Sequence, residues 1–94
     1  ANLFSSNAKL RWLSGEEKSR TFNFHSKGHV KSFCTDCGSA LPNIQMDGKL
    51  LVVPAGSLDS NINIKPQGHI FYSKKANWDD ALEKVPKFEK GPNE

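Results

Sequence analysis

Residues 40–53 read Ala40-Leu-Pro-Asn-Ile-Gln-Met-Asp-Gly-Lys-Leu-Leu-Val-Val53. Two apolar runs flank Asp47-Gly48, and the central positions of a type I′ turn both need positive φ, which Asp and Gly tolerate. The stretch therefore predicts an antiparallel hairpin. Pro42 has no backbone N–H to give to a ladder, so the first arm is expected to be an edge or to start irregularly. Residues 50–53 carry no charge and no polar side chain, which predicts the most buried strand of the chain.

The same pattern of short apolar runs and turn residues continues on both sides of the hairpin. Upstream, Lys9-Leu-Arg-Trp-Leu13 is expected as a strand ended by Ser14-Gly15. Thr21-Phe-Asn-Phe24 is expected as a second, with Phe22 and Phe24 on one face, and Ser26-Lys-Gly28 as a turn into His29-Val-Lys-Ser-Phe33. Downstream, residues 57–66 read as a loop and His69-Ile-Phe-Tyr72 as a last short strand. The only helical hint lies in Trp78-Asp-Asp-Ala-Leu-Glu-Lys84, where Asp79 or Asp80 would cap a turn or two. Six short strands with Gly and Pro punctuation predict an all-β domain, mainly of antiparallel short strands.

Composition bounds what such a domain does. Ninety-four residues make one small domain, expected over residues 1–82. Residues 83–94 mix charges with two prolines, offer little to bury, and are expected as a loose tail. The net charge is +3, with lysines spread among acids rather than gathered in a block. That favours an anionic small ligand weakly and lacks the basic footprint of a nucleic-acid binder. No apolar run approaches the ~20 residues that cross a bilayer, and no charged-then-apolar leader is present. A soluble cytoplasmic protein without membrane partners is the expectation. The opening Ala1-Asn-Leu-Phe4 has no initiator Met, which reads either as Met removal before a small residue or as the interior of a longer protein.

Cys34-Thr-Asp-Cys37-Gly38 holds the only two cysteines. Two thiolates two residues apart grip a tetrahedral zinc from one side, and glycine after the second cysteine suits the tight backbone turn around a metal. Two other readings stand beside zinc. A redox pair needs its first cysteine at a helix N-terminus, and Gly38-Ser-Ala-Leu-Pro42 does not continue as a helix. A pair of ordinary buried thiols is the third. A closed structural zinc site has four protein ligands, so the other half must be found. His25 and His29 have zinc-finger spacing, but at ~3.3 Å per residue His29 would stand roughly 16 Å from Cys34 along a strand. Asp36 inside the knuckle and Asp47 in the hairpin turn are poorly placed. The missing ligands are expected outside residues 1–94. A second copy of the chain could also pair two knuckles into a four-cysteine site, making a homodimer.

Four motifs in order, Phe33-Cys-Thr-Asp-Cys-Gly-Ser-Ala-Leu41, Val53-Pro-Ala-Gly-Ser-Leu-Asp59, Pro66-Gln-Gly-His-Ile-Phe71 and Lys75-Ala-Asn-Trp78, resemble the C-terminal two-thirds of the glutathione-dependent formaldehyde-activating enzymes, the centromere-protein-V-like family. The resemblance spans roughly residues 1–80. It implies an Mss4-like zinc-binding β fold and carbon–sulfur lyase chemistry on a glutathione adduct such as S-hydroxymethylglutathione. It also implies that Cys34 and Cys37 complete a structural zinc with an upstream Cys-x-Cys pair, and that a separate Cys-His-Cys-x-x-Cys cluster holds a catalytic zinc. Residues 1–94 contain neither cluster, which is the main departure from the family pattern. A truncated member of an enzyme family is thus expected, with no catalytic residue assigned within these residues.

Within the matching motifs, His69, Lys75 and Trp78 are the candidate substrate-binding residues. Glutathione carries two carboxylates, which cationic and polar groups would suit. Ser57 and Asp59 sit in a Gly-led turn without a positioned base and are expected to serve the turn itself. The alternative function is a non-enzymatic zinc-ribbon-like module that binds protein or nucleic acid through surface lysines. The upstream sequence discriminates the two.

Overall fold

The computed structural model describes residues 1–24 and 28–94. Contacts divide the chain into residues 1–64 and residues 65–94. The first unit holds every strand among the described residues, and it is all-β, in two small antiparallel sheets.

The hairpin organises the first sheet. β5 (Asn43–Gln45) pairs with β6 (Leu50–Pro54), Ile44 opposite Leu51 and Gln45 opposite Leu50. Asp47 and Gly48 take φ of 56° and 84°, as the turn demands, and the Lys49 N–H donates to the Met46 carbonyl at 3.2 Å. Met46 is also left-handed, at φ 54°. The loop thus has one more left-handed residue than a two-residue turn needs. On its other side β6 takes β1 (Asn2–Ser5), Leu3 opposite Val53 and Phe4 opposite Val52. As the middle strand, β6 carries Leu51 and Val52, the buried hydrophobic residues of the core.

In the second sheet β3 (His29–Cys34) lies between β2 (Ser19–Phe24) and β4 (Ala40–Leu41). Its centre is polar. Ser32 is buried, and its hydroxyl lies 2.7 Å from Thr21 Oγ1, directly opposite in the register. Phe22 and Phe24 share a face of β2, with ring centroids 6.3 Å apart, and both remain exposed. The expected run over residues 40–46 is two strands. The chain leaves the second sheet after Leu41 and enters the first at Asn43, and Pro42, which has no N–H to pair, stands at the crossing. β3 approaches β5 and β4 approaches β6, so the two sheets meet around this crossing.

Three expected elements are absent. Residues 9–13 form no strand: Leu10 and Trp12 are half-buried while Lys9, Arg11 and Leu13 are exposed, so the alternation survives as burial. Both sides of β6 are already occupied by β1 and β5, so the central strand has no edge to offer this segment. β1, whose four residues are too short to show a period, takes that place in the sheet. In the second unit, residues 69–72 are not a strand. Phe71, left-handed at φ 53°, leads into a single 3₁₀ turn, Tyr72–Lys74. Neither Asp79 nor Asp80 caps a helix; left-handed Ala81 leads into another 3₁₀ turn, Leu82–Lys84. The turn expected at Ser26-Lys-Gly28 lies mostly outside the described residues, though Gly28 has the positive φ, 68°, that suits it. Among the described residues no helix is long and apolar enough to cross a membrane.

The Thr21–Ser32 pair gives a first test. Thr21→Val keeps the shape of β2 but leaves the buried Ser32 hydroxyl without its partner, so unfolding free energy should fall by about 1–2 kcal/mol, read as a lower denaturant midpoint at unchanged slope.

Candidate functional site

β3 ends by delivering Cys34 to a tight turn. The Gly38 N–H donates to the Cys34 carbonyl at 2.7 Å, and the Cys34 N–H donates to the Ser39 carbonyl at 2.9 Å. Gly38 sits at φ 76°, where an L side chain would be strained, which explains the glycine after the second cysteine. β4 follows at once. A third bond, from the Thr35 N–H to the Lys18 carbonyl at 2.8 Å, ties the turn to the 3₁₀ segment Glu16–Lys18. The exposed Lys18–Asp36 salt bridge, at 2.7 Å, joins the same two pieces. Such a surface pair is worth ~0–1 kcal/mol, so the backbone bonds hold the turn and the Asp36 carboxylate is engaged by Lys18.

Both cysteines are free thiols, Cys34 half-buried and Cys37 exposed, so they are not ordinary buried thiols. No helix follows them to activate a redox pair; β4 takes that position. The Cys37 thiol donates to Ser39 Oγ at 3.2 Å. The Ser39 hydroxyl first, then the Ser39 backbone and the Cys34 thiol, hold the Cys37 pKa below the ordinary thiol value, while desolvation and the Asp36 charge oppose them. The lowered pKa makes the Cys37 thiolate, the form that acts as ligand and nucleophile, easier to reach than an ordinary thiolate. Neither Ser39 nor Lys18 was signalled by the sequence, because their roles are backbone bonds and a cross-turn pair rather than a motif.

Fitness for zinc is that of half a site. Two thiols converge on one turn with the soft donor chemistry that zinc takes, yet among the described residues no group of three or more His, Cys, Asp or Glu could hold a metal. His29 stands opposite Phe24, at the end of β3 remote from Cys34, as the strand geometry predicts. His25 lies outside the described residues. Ser57 serves its turn, donating to the Pro54 carbonyl at 2.7 Å.

The second unit carries a cavity of about 570 Å³, lined in part by His69, Tyr72, Lys75, Asp79, Asp80 and Glu83. Its basic side is organised around Tyr72. Lys75 Nζ donates to the Tyr72 hydroxyl at 2.7 Å and lies 3.9 Å from the ring centroid. The His69 ring meets the Tyr72 ring edge-on at 5.9 Å. The structure therefore brings His69 and Lys75 together and adds Tyr72 between them. Trp78 is 70% exposed and is not among the lining residues. A strand reading of residues 69–72 hides this cluster, because i and i+3 residues face opposite ways on a strand. The 3₁₀ turn Tyr72–Lys74 brings Lys75 back over Tyr72, and His69 meets the same ring from the chain before it.

The sequence model of the family described as glutathione-dependent formaldehyde-activating enzyme matches residues 1–74. The chain belongs to that family. Its two small antiparallel sheets agree with the Mss4-like β architecture that the family resemblance implied. No curated protein and no solved structure matches the chain. Membership in the glutathione-dependent formaldehyde-activating family gives the chain a glutathione-linked, formaldehyde-related function at the family level. The match ends at Lys74, so the Lys75–Trp78 motif and, of the cavity residues, Lys75, Asp79, Asp80 and Glu83 lie beyond it.

The environment of Cys37 is open to a direct check. In the metal-free chain the Ser39 hydroxyl turns to donate to the Cys37 sulfur once it ionises; Ser39→Ala removes that donor, so the Cys37 pKa should rise toward the ordinary value. The pH of half-maximal alkylation at Cys37, followed by peptide mass spectrometry, should move up; an unchanged profile would contradict the hydrogen-bond account.

Proposed function

We propose that the chain belongs to a zinc-dependent carbon–sulfur lyase acting on a glutathione adduct such as S-hydroxymethylglutathione. Family membership over residues 1–74 carries this reading, and the half-site chemistry of the knuckle supports it. Cys34 and Cys37 would hold the zinc from one side as thiolates. Its other ligands come from outside the described residues, on another stretch of polypeptide or on a second copy of the chain. A zinc closed by four protein ligands supplies rigidity, whereas one with an open position polarises a substrate oxygen or sulfur.

Substrate recognition falls to His69, Lys75 and Trp78. Lys75 is a flexible point charge already anchored on the Tyr72 hydroxyl, and it offers further N–H donors to a substrate carboxylate. His69 stands at the same ring. Trp78 precedes the lining residue Asp79 and presents an exposed aromatic surface for the apolar part of a ligand. These residues bind and orient; none of them is assigned the bond-breaking step.

Two experiments check the reading. In calorimetric titration, glutathione should bind the chain, and Lys75→Ala should weaken it about tenfold, the loss expected for a charge-assisted hydrogen bond. Failure of both glutathione and its formaldehyde adduct to bind would contradict the reading. Cobalt titration probes the knuckle: the chain alone should take up metal weakly, with a thiolate-to-cobalt absorption band that Cys37→Ser diminishes. One chelator-resistant metal per monomer would contradict the half-site, and one metal per two chains would identify the second copy as the other ligand source.

A further inference from the structure

The cavity of residues 65–94 is bipolar. Lys75, Tyr72 and His69 stand on it as hydrogen-bond donors joined through the Tyr72 ring and hydroxyl. Asp79, Asp80 and Glu83 line it as carboxylates, and among the described residues the salt bridge that forms is Lys18–Asp36, so none of the three is neutralised by a basic partner. Lys74 adds a second ammonium to the basic side, and Ile70, Phe71, Ala81 and Leu82 add apolar surface. The volume, about 570 Å³, lies within the range of sites for small organic ligands.

The backbone around the cavity is strained in a paired way. Phe71 and Ala81 are left-handed without being glycine, at φ 53° and 51°, and each opens a 3₁₀ turn. An i+3 bond closes each turn: the Lys74 N–H donates to the Phe71 carbonyl at 2.9 Å and the Lys84 N–H to the Ala81 carbonyl at 3.2 Å. Left-handed bulky residues cost energy and gather where a ligand site is shaped. One such corner carries the donor side, Tyr72 and Lys75. The other follows Asp79 and Asp80 and contains Glu83.

A simple anion would be repelled by three carboxylates that no described basic residue pairs, and a simple cation by Lys74 and Lys75. A group that carries both charges close together satisfies both walls. We propose that this cavity binds the zwitterionic α-ammonium-carboxylate head of an amino acid, its carboxylate on Lys75, Tyr72 and His69 and its ammonium on the Asp79, Asp80 and Glu83 side. Resting on the glutathione reading above, this assigns the cavity to the γ-glutamyl end of the substrate, the only end that is zwitterionic, and leaves the glycyl carboxylate outside. Lys75 and the acidic wall both lie beyond the residues matched to the family, so the assignment rests on the cavity's own chemistry and not on the match.

Ligand dissection by NMR titration of the full chain tests it. Glutathione and γ-glutamylcysteine, which lacks the glycyl carboxylate, should bind within about threefold of each other and shift the amides of residues 69–83. N-acetylglutathione, which keeps every carboxylate but loses the ammonium charge, should bind at least tenfold more weakly. The variant Asp79→Asn/Asp80→Asn should weaken glutathione and leave N-acetylglutathione unchanged; the side chains of both residues are exposed, and a native amide spectrum confirms that the variant folds. Equal binding of glutathione and its N-acetyl form overturns the assignment while leaving the glutathione reading intact. If glutathione fails to bind, the simpler probe γ-glutamyl methylamide decides separately: shifts at residues 69–83 sustain the zwitterion site without the glutathione reading, and no shifts overturn both.

Discussion

The pairing of β6 on both its edges is the constraint from which the first unit follows. Leu51 and Val52 are the buried apolar residues because they lie in the strand flanked by β1 and β5. The Asp47-Gly48 turn sets the register of one flank, and a one-residue slip would exchange the faces on which Leu51 and Val52 lie. Pro42 then sends β4 to the other sheet, where β3 brings Cys34 to its end. The knuckle is therefore placed by the same few backbone decisions that build the core. With so small a core and side chains as large as Phe4, Phe22 and Ile44 more than half exposed, a metal that fastens the end of β3 would contribute folding energy as well as geometry.

Much of this was legible because it rests on local chemistry. The hairpin, the buried run at residues 50–53 and the shared face of Phe22 and Phe24 follow from turn residues and alternation, whereas Pro42, read as an edge or irregular start of one run, divides it into two strands. The tight CxxC turn was legible too, since Gly38 announces a positive φ. Partnership was not legible. Residues 9–13 alternate as well as any strand here, yet β1 takes the place beside β6, and a four-residue strand carries too little pattern to reveal that. Residues 69–72 and 78–84 misled for a different reason: left-handed Phe71 and Ala81 convert apparent strand and helix into 3₁₀ corners, and nothing in a Phe or an Ala signals that conformation.

The candidate site divides along the same line. Cys34 and Cys37 could be named from spacing alone, and their surroundings explain how the turn holds them and why Cys37 favours the thiolate. His69 and Lys75 were named from motif resemblance, while Tyr72, which physically joins them, depends on the 3₁₀ geometry. Family membership supplies the glutathione-linked context; the proposed orientation of a ligand rests instead on the donors and carboxylates around the cavity.

The central claim is that the Cys34–Cys37 turn is one half of a thiolate zinc site. X-ray absorption at the zinc edge of the zinc-loaded chain tests it most directly. The account predicts sulfur scatterers at about 2.3 Å that disappear when both cysteines are replaced by serine. A shell made only of nitrogen and oxygen, or one unchanged by that double replacement, would contradict it.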